Sequence, residues 1–481
     1  MKKIKTFCAI SASLALIVSM FVTAFAASSI GIEGPCYVIL SPTGLSEEIA
    51  VTWWDVPEAA EGYVRYSTAP LEGDEAHESF ETTVGVRNRV DTTNGYAAFE
   101  ARMTGLSNGT TYYYCVGNGE QWSEVYSFVF DSGDDDGNAA FLYLGDIQYS
   151  NFNNAEADLA AWGALVQGAV ESNPNIGFGV LGGDMVQQGQ SATDWQRFFS
   201  HAGRVFNELP LLAVPGNHES NSMSGKPQMY LDVMALPENG PAGFTEEFYS
   251  FDYGNCHIVA LSSQIFAYEQ LAYGSMTEDD FDVIADWISD DLAASDATWK
   301  IVVLHHPVYG VVPDTVSAKV LENWAPVFEK AQVDLIFCGH QHIYMRTAPI
   351  RGVTQIMGNS GSQHYAPADV AYSEVMIGYT SNYQIVNADG TELTVASYDA
   401  SGAMLDTVTL EAKDRSITPV WPEDTLNGDL NGDGIISGSD VEILLDAIRF
   451  FNAYNETMDI NNDGKIDICD AHRLALRIVI D

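Results

Sequence analysis

Five apolar runs, each ending in a residue able to hold a metal ion, set the narrowest limits on how this chain can fold. AAFLYLGD (139–146), IGFGVLGGD (176–184), LPLLAVPGNHE (209–219), WKIVVLHHP (299–307) and VDLIFCGHQH (333–342) are short enough for strands and apolar enough to be buried on both faces. Segments of helical spacing, AEADLAAWGALVQGAVES and TEDDFDVIADWISDDLAAS, lie between them. Buried strands alternating with helices predict an α/β layout, in which polar groups at strand carboxyl ends collect at one edge of the sheet. The residues placed there are Asp146, Asp184, Asn217, His305, His340 and His342. One Asp or His at a strand end is ordinarily a cap or a satisfied polar group. Six, spread over five successive strands, predict a shared centre of hard and borderline metal donors. FYSFDYGNCHIVALSS (248–263) reads as a hairpin, and residues 382–410, with turns at Asp389-Gly390 and Ser401-Gly402, as closing strands.

A chain of 481 residues allows two or three domains, and the flanking regions differ in character from this middle one. From Ile30 to Phe130 the runs EIAVTWWDV, EGYVRYST, AAFEARMTGL, TTYYYCVG and EVYSFVF, separated by turn signals, predict a small β-sandwich. DSGDDDGN (131–138) reads as a linker. The first 26 residues combine Lys2, Lys3 and Lys5, an apolar stretch from Phe7 to Phe25 and an Ala24-Phe25-Ala26 cleavage signal, which predicts a removable signal peptide and an exported protein. No later segment is long and apolar enough to span a bilayer. Loss of the leader takes the net charge from −45 to −48, which makes nucleic acid and anionic membrane surfaces poor partners. Of the 6 cysteines one lies in the leader, and the odd remainder permits at most two disulfides. Cys36 and Cys115 are the expected pair, with Cys256 and Cys338 buried free thiols.

Past a linker at 411–425 that holds Pro419 and Pro422, a 12-residue pattern repeats: DLNGDGIISGSD (429–440) and DINNDGKIDICD (459–470). Oxygen donors fall at loop positions 1, 3, 5, 9 and 12: Asp429, Asn431, Asp433, Ser437 and Asp440, then Asp459, Asn461, Asp463, Asp467 and Asp470. Gly434 and Gly464 supply the turn at position 6, and each loop runs into a helix candidate. Two such EF-hand-type loops in tandem predict two bound Ca2+ ions.

The motifs GD (145–146), GGD (182–184), GNHE (216–219), VVLHHP (302–307) and GHQH (339–342) resemble, in order and separation, those of the calcineurin-like metallophosphoesterases, and within them the purple acid phosphatase branch. YSFDYGNCHIVALSS, GHQHIYMR and NGTTYYYCVGNGEQWSEVYSF extend the likeness, and the carboxyl-terminal repeat resembles a type I dockerin. The resemblance implies a multidomain chain: a fibronectin III-like β-sandwich at 30–132, an α/β catalytic domain at 139–410 built as a β-sandwich metallophosphoesterase core with flanking helices, and a small α-helical calcium-binding dockerin at 426–481. It implies that Asp146 and His342 hold one metal, that Asn217, His305 and His340 hold the other, and that Asp184 bridges them. Water activated by the metal pair then attacks phosphorus, with His218 as proton donor to the leaving oxygen and Glu219 as its orienting partner. His306 is expected to be structural or to lie behind the ligands. His364, in GSQHY, is a candidate for contact with substrate phosphate.

Two positions depart from the family pattern. Purple members complete the first metal with a tyrosine in GDxxY, and other members with DxH, whereas this chain has Gln187 and Gln148 there. A ferric ion and a divalent partner balanced by two carboxylates and a phenolate carry the same net charge as two divalent ions balanced by two carboxylates alone. The substitution therefore predicts two divalent metal ions, Fe, Mn or Zn, with the first completed by Gln148, by Tyr149 or by water. The expected protein is a secreted phosphatase of acid phosphatase type that hydrolyses phosphate monoesters, tethered to a cohesin module of an extracellular scaffold of the cellulosome kind. The same core would serve a phosphodiesterase or nucleotidase, and a degraded metal site would leave a non-catalytic scaffold-bound subunit. In dockerins, loop positions 10 and 11 help select the partner. Here they are Gly438-Ser439 and Ile468-Cys469, which differ between the halves, and Cys469 is expected to be an exposed thiol.

Overall fold

The computed structural model describes residues 30–70, 80–133, 137–202, 204–220, 226–267, 276, 278–417, 430, 438–449, 458, 460, 465–466 and 468–480. The leader expected at 1–26 and the calcium-loop positions Asp429, Asn431, Asp433, Ser437, Asp459, Asn461, Asp463 and Asp467 lie outside the described residues.

Seven antiparallel strands form the amino-terminal domain: β1 (Cys36–Pro42), β2 (Glu48–Asp55), β3 (Gly62–Ser67), β4 (Glu81–Asp91), β5 (Tyr96–Thr104), β6 (Thr110–Gly117) and β7 (Tyr126–Phe130), in the order β1-β2-β5-β4-β3-β6-β7. Alternating side chains of both flanks meet in one core, where Trp53 stacks on Phe99 at 5.4 Å and Tyr112 on Phe128 at 5.9 Å. Gly85 lets β4 cross this core, since a Cβ there would sit 2.9 Å from the Trp53 ring. The expected Cys36–Cys115 disulfide is absent, and none of the five described cysteines is in a disulfide. Register explains the difference: Cys36 pairs with Trp54 on β2 and Cys115 with Arg65 on β3, strands from separate flanks of the sheet.

The middle region stacks two sheets. One, β10-β9-β8-β18-β19-β20, contains β8 (Ala139–Leu144), β9 (Phe178–Leu181), β10 (Leu211–Ala213), β18 (Asn382–Ala388), β19 (Glu392–Asp399) and β20 (Met404–Glu411). The other, β11-β12-β13-β14-β16-β15-β17, contains β11 (Phe248–Tyr253), β12 (Cys256–Leu261), β13 (Trp299–Leu304), β14 (Leu335–Cys338), β15 (Tyr344–Thr347), β16 (Thr354–Met357) and β17 (Ser373–Ile377). Strands β8 to β10 are mutually parallel, as are β12, β13, β14 and β16. The facing surfaces interlock through Phe337 of β14, on which Tyr143 stacks at 4.4 Å and which Phe141 meets edge-on at 6.3 Å.

Helices cover the outer faces. Along α1 (Ala155–Ser172) the buried residues Leu159, Trp162, Val166 and Ala169 recur at three- and four-residue spacing. Trp162 stacks on Phe198 of α2 (Ala192–Ala202) at 5.4 Å. On the other sheet, Ile284, Ile288 and Leu292 of α3 (Glu278–Ala294) pack with Val302 and Leu304, alongside α4 (Thr315–Asn323) and α5 (Ala325–Lys330). The expected combination of sandwich, layered catalytic core and small helical unit is thus the observed one.

At the carboxyl end, α6 (Gly438–Arg449) and α7 (Ile468–Ile480) share a small core of Leu444, Ile460, Ala471 and Leu474. Cys469 is buried, against the expectation of an exposed thiol. Its helix packs toward α4 and α5, and the His472 ring lies 5.7 Å from that of Tyr309. Among the described residues no helix is long and apolar enough to cross a membrane.

Candidate metal centre

All six predicted donors lie within four residues of the carboxyl ends of β8, β9, β10, β13 and β14, where the two parallel arrays meet. Backbone strain is concentrated at the same place. Asp146, Asp184, His340 and His342 have φ of 28°, 52°, 71° and 48°, a region that non-glycine residues occupy at a cost of about 1–3 kcal/mol each. Local hydrogen bonds hold these turns: the N–H groups of Ile147 and Gln148 donate to Asp184 O at 2.9 and 3.1 Å. The His340 N–H donates to Asp146 Oδ1 at 2.9 Å. Glycine precedes His340 because a Cβ at Gly339 would lie 2.4 Å from Asp146 Oδ2.

The donors form two overlapping groups, Asp146/Asp184/His342 and Asp184/His305/His340, each with its ligand atoms within 4.8 Å of one another. Asp184 belongs to both. In the second group His305 Nε2 is 3.2 Å from Asp184 Oδ2 and 3.2 Å from Asn217 Oδ1, and His340 Nδ1 is 2.9 Å from the same Asn217 oxygen. In the first, His342 Nε2 is 3.8 Å from Asp146 Oδ1. The Gln148 amide sits between the same residues, its nitrogen 3.1 Å from Asp184 Oδ2 and 3.3 Å from His342 Nε2.

Whether this set suits cations can be judged from its unmatched atoms and its charge. Asp146 Oδ2 and Gln148 Oε1 are buried without a hydrogen-bond partner in the protein, which marks them as free donors. Burial disfavours charge on His305, yet Asp184 and Asp146 outweigh it and push the imidazole up to about 10. Burial would likewise raise Asp184, but His305 and His218 hold its carboxyl well below the usual range. His340 is driven down to about 4 by burial and by His305. Carboxylates that draw a proton so strongly onto one imidazole, beside neutral nitrogen donors, fit a site for divalent metal ions.

The remaining predicted residues divide. The His218 N–H donates to Asp184 Oδ1 at 2.9 Å, its Nδ1 lies 2.6 Å from the Gln187 carbonyl oxygen, and its Nε2 is 3.9 Å from Asp184 Oδ2. The group that orients His218 is therefore the Gln187 backbone rather than Glu219. Glu219, fully buried, instead accepts four backbone N–H groups, those of Asp184 and Gly216 on Oε2 and of Met185 and Val186 on Oε1. Burial and Asp184 push Glu219 up to about 7, and four donors on its two oxygens favour the ionised form. The Gln187 side-chain oxygen is buried and unpartnered. Tyr149 points its hydroxyl at Asp194, 3.3 Å away, a residue also bound by Arg197. His364 Nε2 contacts Ser381 Oγ at 3.3 Å, while its neighbour Tyr365 stacks on His342 at 4.9 Å. His306 forms a third group with Asp314 and His340, and Asp314 carried no signal in the sequence. Of the calcium-loop residues, Asp440 and Asp470 are described and fully buried, and Asp440 Oδ1 accepts the Leu430 N–H at 2.7 Å.

Parallel strands that deliver two Asp, one Asn and three His to the junction of two stacked sheets define a class, and the comparisons agree with it. Residues 139–344 match the calcineurin-like phosphoesterase family. More narrowly, residues 35–130 match the purple acid phosphatase N-terminal domain and residues 427–478 the dockerin type I domain. A purple acid phosphatase from yellow lupin (Lupinus luteus) seeds shares the fold, with a TM-score of 0.63 at 18% identity over 80% of this chain and 76% of that one. A phosphoenolpyruvate phosphatase of Allium cepa is 23% identical over 355 residues, 70% of this chain and 67% of its own length. An uncharacterised Mycobacterium tuberculosis protein is 26% identical over 167 residues, 33% of this chain and 32% of its own, so the chain matches about a third of that relative.

Proposed function

We propose that this protein is a secreted phosphatase that hydrolyses phosphate monoesters at a centre of two divalent metal ions and is held on a cohesin-bearing scaffold by its calcium-loaded dockerin. The carrying observation is the convergence of Asp146, Asp184, Asn217, His305, His340 and His342 in two groups that share Asp184. Asp146 and His342 would hold one ion, with Gln148 Oε1 as the further donor. Asn217, His305 and His340 would hold the other, and Asp184 both. When bound, the ions supply positive charge against phosphoryl oxygens and lower the pKa of water.

The protein's own part is positioning and proton transfer. Gln187 O accepts the Nδ1 proton of His218 and so leaves Nε2, on the side of Asp184, to carry a second proton to a leaving alkoxide. Burial opposes the charged form of His218, but Asp184 favours it, and the net effect is a raised pKa suited to a general acid. Glu219 keeps Asp184 and Gly216 in register through their N–H groups. Tyr149, engaged with Asp194, is a poorer candidate than Gln148 for the first ion.

The test loads purified protein with Mn2+ or Zn2+ in excess Ca2+, measures metal content, and compares p-nitrophenyl phosphate with bis(p-nitrophenyl) phosphate. Two transition-metal ions per chain and faster turnover of the monoester are expected. Less than one ion per chain with no turnover of either ester would refute the enzyme, and a faster diester would refute the monoester assignment. A visible charge-transfer band would place a phenolate on ferric iron and overturn the divalent pair. Retention on an immobilised type I cohesin that survives EGTA would refute calcium-dependent docking.

A further inference from the structure

Each imidazole of the centre has one nitrogen on the donor side and one facing away, and what the second nitrogen meets fixes the ring. His305 turns Nδ1 to the Gly182 carbonyl oxygen at 2.8 Å, and His342 turns Nδ1 to the Gln363 carbonyl oxygen at 3.2 Å. His340 is reversed. Its Nδ1 faces Asn217, so Nε2 is the nitrogen that needs an acceptor behind it. Among the described residues no carbonyl is hydrogen-bonded there. Instead, the His306, Asp314 and His340 ligand atoms lie within 4.8 Å of one another, and the two rings are tilted at 42° with centroids 4.1 Å apart.

The proton on His306 follows from its neighbour. Ser263 Oγ accepts the His306 backbone N–H at 3.1 Å and lies 2.9 Å from His306 Nδ1, to which its own hydrogen is free to donate. With that hydrogen bond made, His306 carries its proton on Nε2, as does a His340 that uses Nδ1 as a donor atom. Asp314 caps α4, where one carboxylate oxygen, Oδ2, accepts the Ser317 N–H at 2.8 Å. The other oxygen remains for the imidazoles.

We propose that Asp314 is a positioning residue of the metal centre: its carboxylate, within 4.8 Å of a ring nitrogen of both His340 and His306, draws the His340 proton to the nitrogen away from Asn217, so that the Nδ1 lone pair is aimed at the ion shared with Asn217 and His305. The inference rests on the two-metal reading above. A carboxylate near this imidazole, where His305 and His342 have carbonyls, adds to the basicity of His340 as a donor. It also places an anionic charge beside a centre whose Gln148 and Gln187 are neutral.

The experiment is calorimetric titration of the full chain with Mn2+ in excess Ca2+, for wild type, Asp314→Asn and Asp314→Ser. Both substitutions keep a side-chain oxygen for the Ser317 N–H, so α4 stays capped, and melting temperatures check that. The expected result is one Mn2+ weakened by about 10–100-fold and the other unchanged, with melting of the metal-free protein unaltered. Both ions binding to Asp314→Asn and Asp314→Ser with wild-type affinity would overturn the role of Asp314 alone. Equal weakening of both ions together with a lowered melting temperature would overturn it in favour of a plain helix cap. A wild type that binds fewer than two Mn2+ would instead sink the two-metal reading, and this inference with it.

Discussion

Replacing Glu219 with glutamine changes one atom, and the structure says how much that should cost. The carboxylate accepts two N–H groups on each oxygen: Asp184 and Gly216 at 2.8 Å each on Oε2, Met185 at 2.8 Å and Val186 at 3.2 Å on Oε1. Whichever way the new amide is turned, its NH2 faces two of these donors and leaves them unpaired. Glu219 is fully buried, so water cannot easily replace the lost acceptor. An unsatisfied buried donor costs about 1–3 kcal/mol, which gives about 2–6 kcal/mol for Glu219→Gln. That is a large part of the roughly 5–15 kcal/mol that holds a domain folded. At about 2–4 °C per kcal/mol for a domain of this size, the catalytic domain should melt lower by roughly 4–24 °C. Differential scanning calorimetry is the assay, read on that domain's own transition because a multidomain chain does not unfold in one step. If the variant melts within about 1 °C of wild type, the four-acceptor account of Glu219 is wrong.

Three other outcomes follow from single sites. Gln148→Ala should weaken one of the two Mn2+ ions by more than about tenfold, and Gln148→His should restore it, since DxH supplies an imidazole at that place; unchanged titrations in both variants would exclude Gln148 as a ligand. At His257, burial opposes charge, but Asp252 and Asp291 at 2.6 and 2.9 Å outweigh it and push the pKa up to about 9 from 6.5. The folded state thus favours the proton, so this stabilisation is full below pH 6.5 and is lost as pH rises toward 9. With Asp252 76% exposed, about 1–2 kcal/mol is expected after screening; chemical denaturation of His257→Gln across that range should show the slope removed, and an unchanged slope would refute the assignment. Cys469, with 9% of its surface exposed, should react with a maleimide at least roughly tenfold more slowly in the calcium-loaded chain than after EGTA; equal rates would contradict its buried place on α7.

What the sequence reveals and what it conceals divide along a physical line. Burial on both faces leaves β8, β9 and β14 as apolar runs and β13 as one broken only by Lys300, so their ends, and the donors at those ends, are readable in one dimension. Strand β4 is concealed because its outer face is open: Val84, Val86 and Val90 occupy the exposed positions, so its apolar alternation points away from the core. The cysteine pairing fails for a related reason, since membership of one domain says nothing of register, and register sets Cys36 and Cys115 on different flanks. The metal centre shows the same division within a few residues. Asp184 and His305 are legible because a strand end dictates where they point. The partners that hold them are not: Tyr149 is adjacent to Gln148 in sequence, yet its hydroxyl is turned to Asp194, 45 positions away. Likewise Asp314 meets His340 only because α4 begins beside the turn after β14. Donor identity is therefore a property of strands and can be read locally. Donor orientation is a property of packing, and the residues that set it, Glu219 and Asp314 among them, emerge only where separate turns meet.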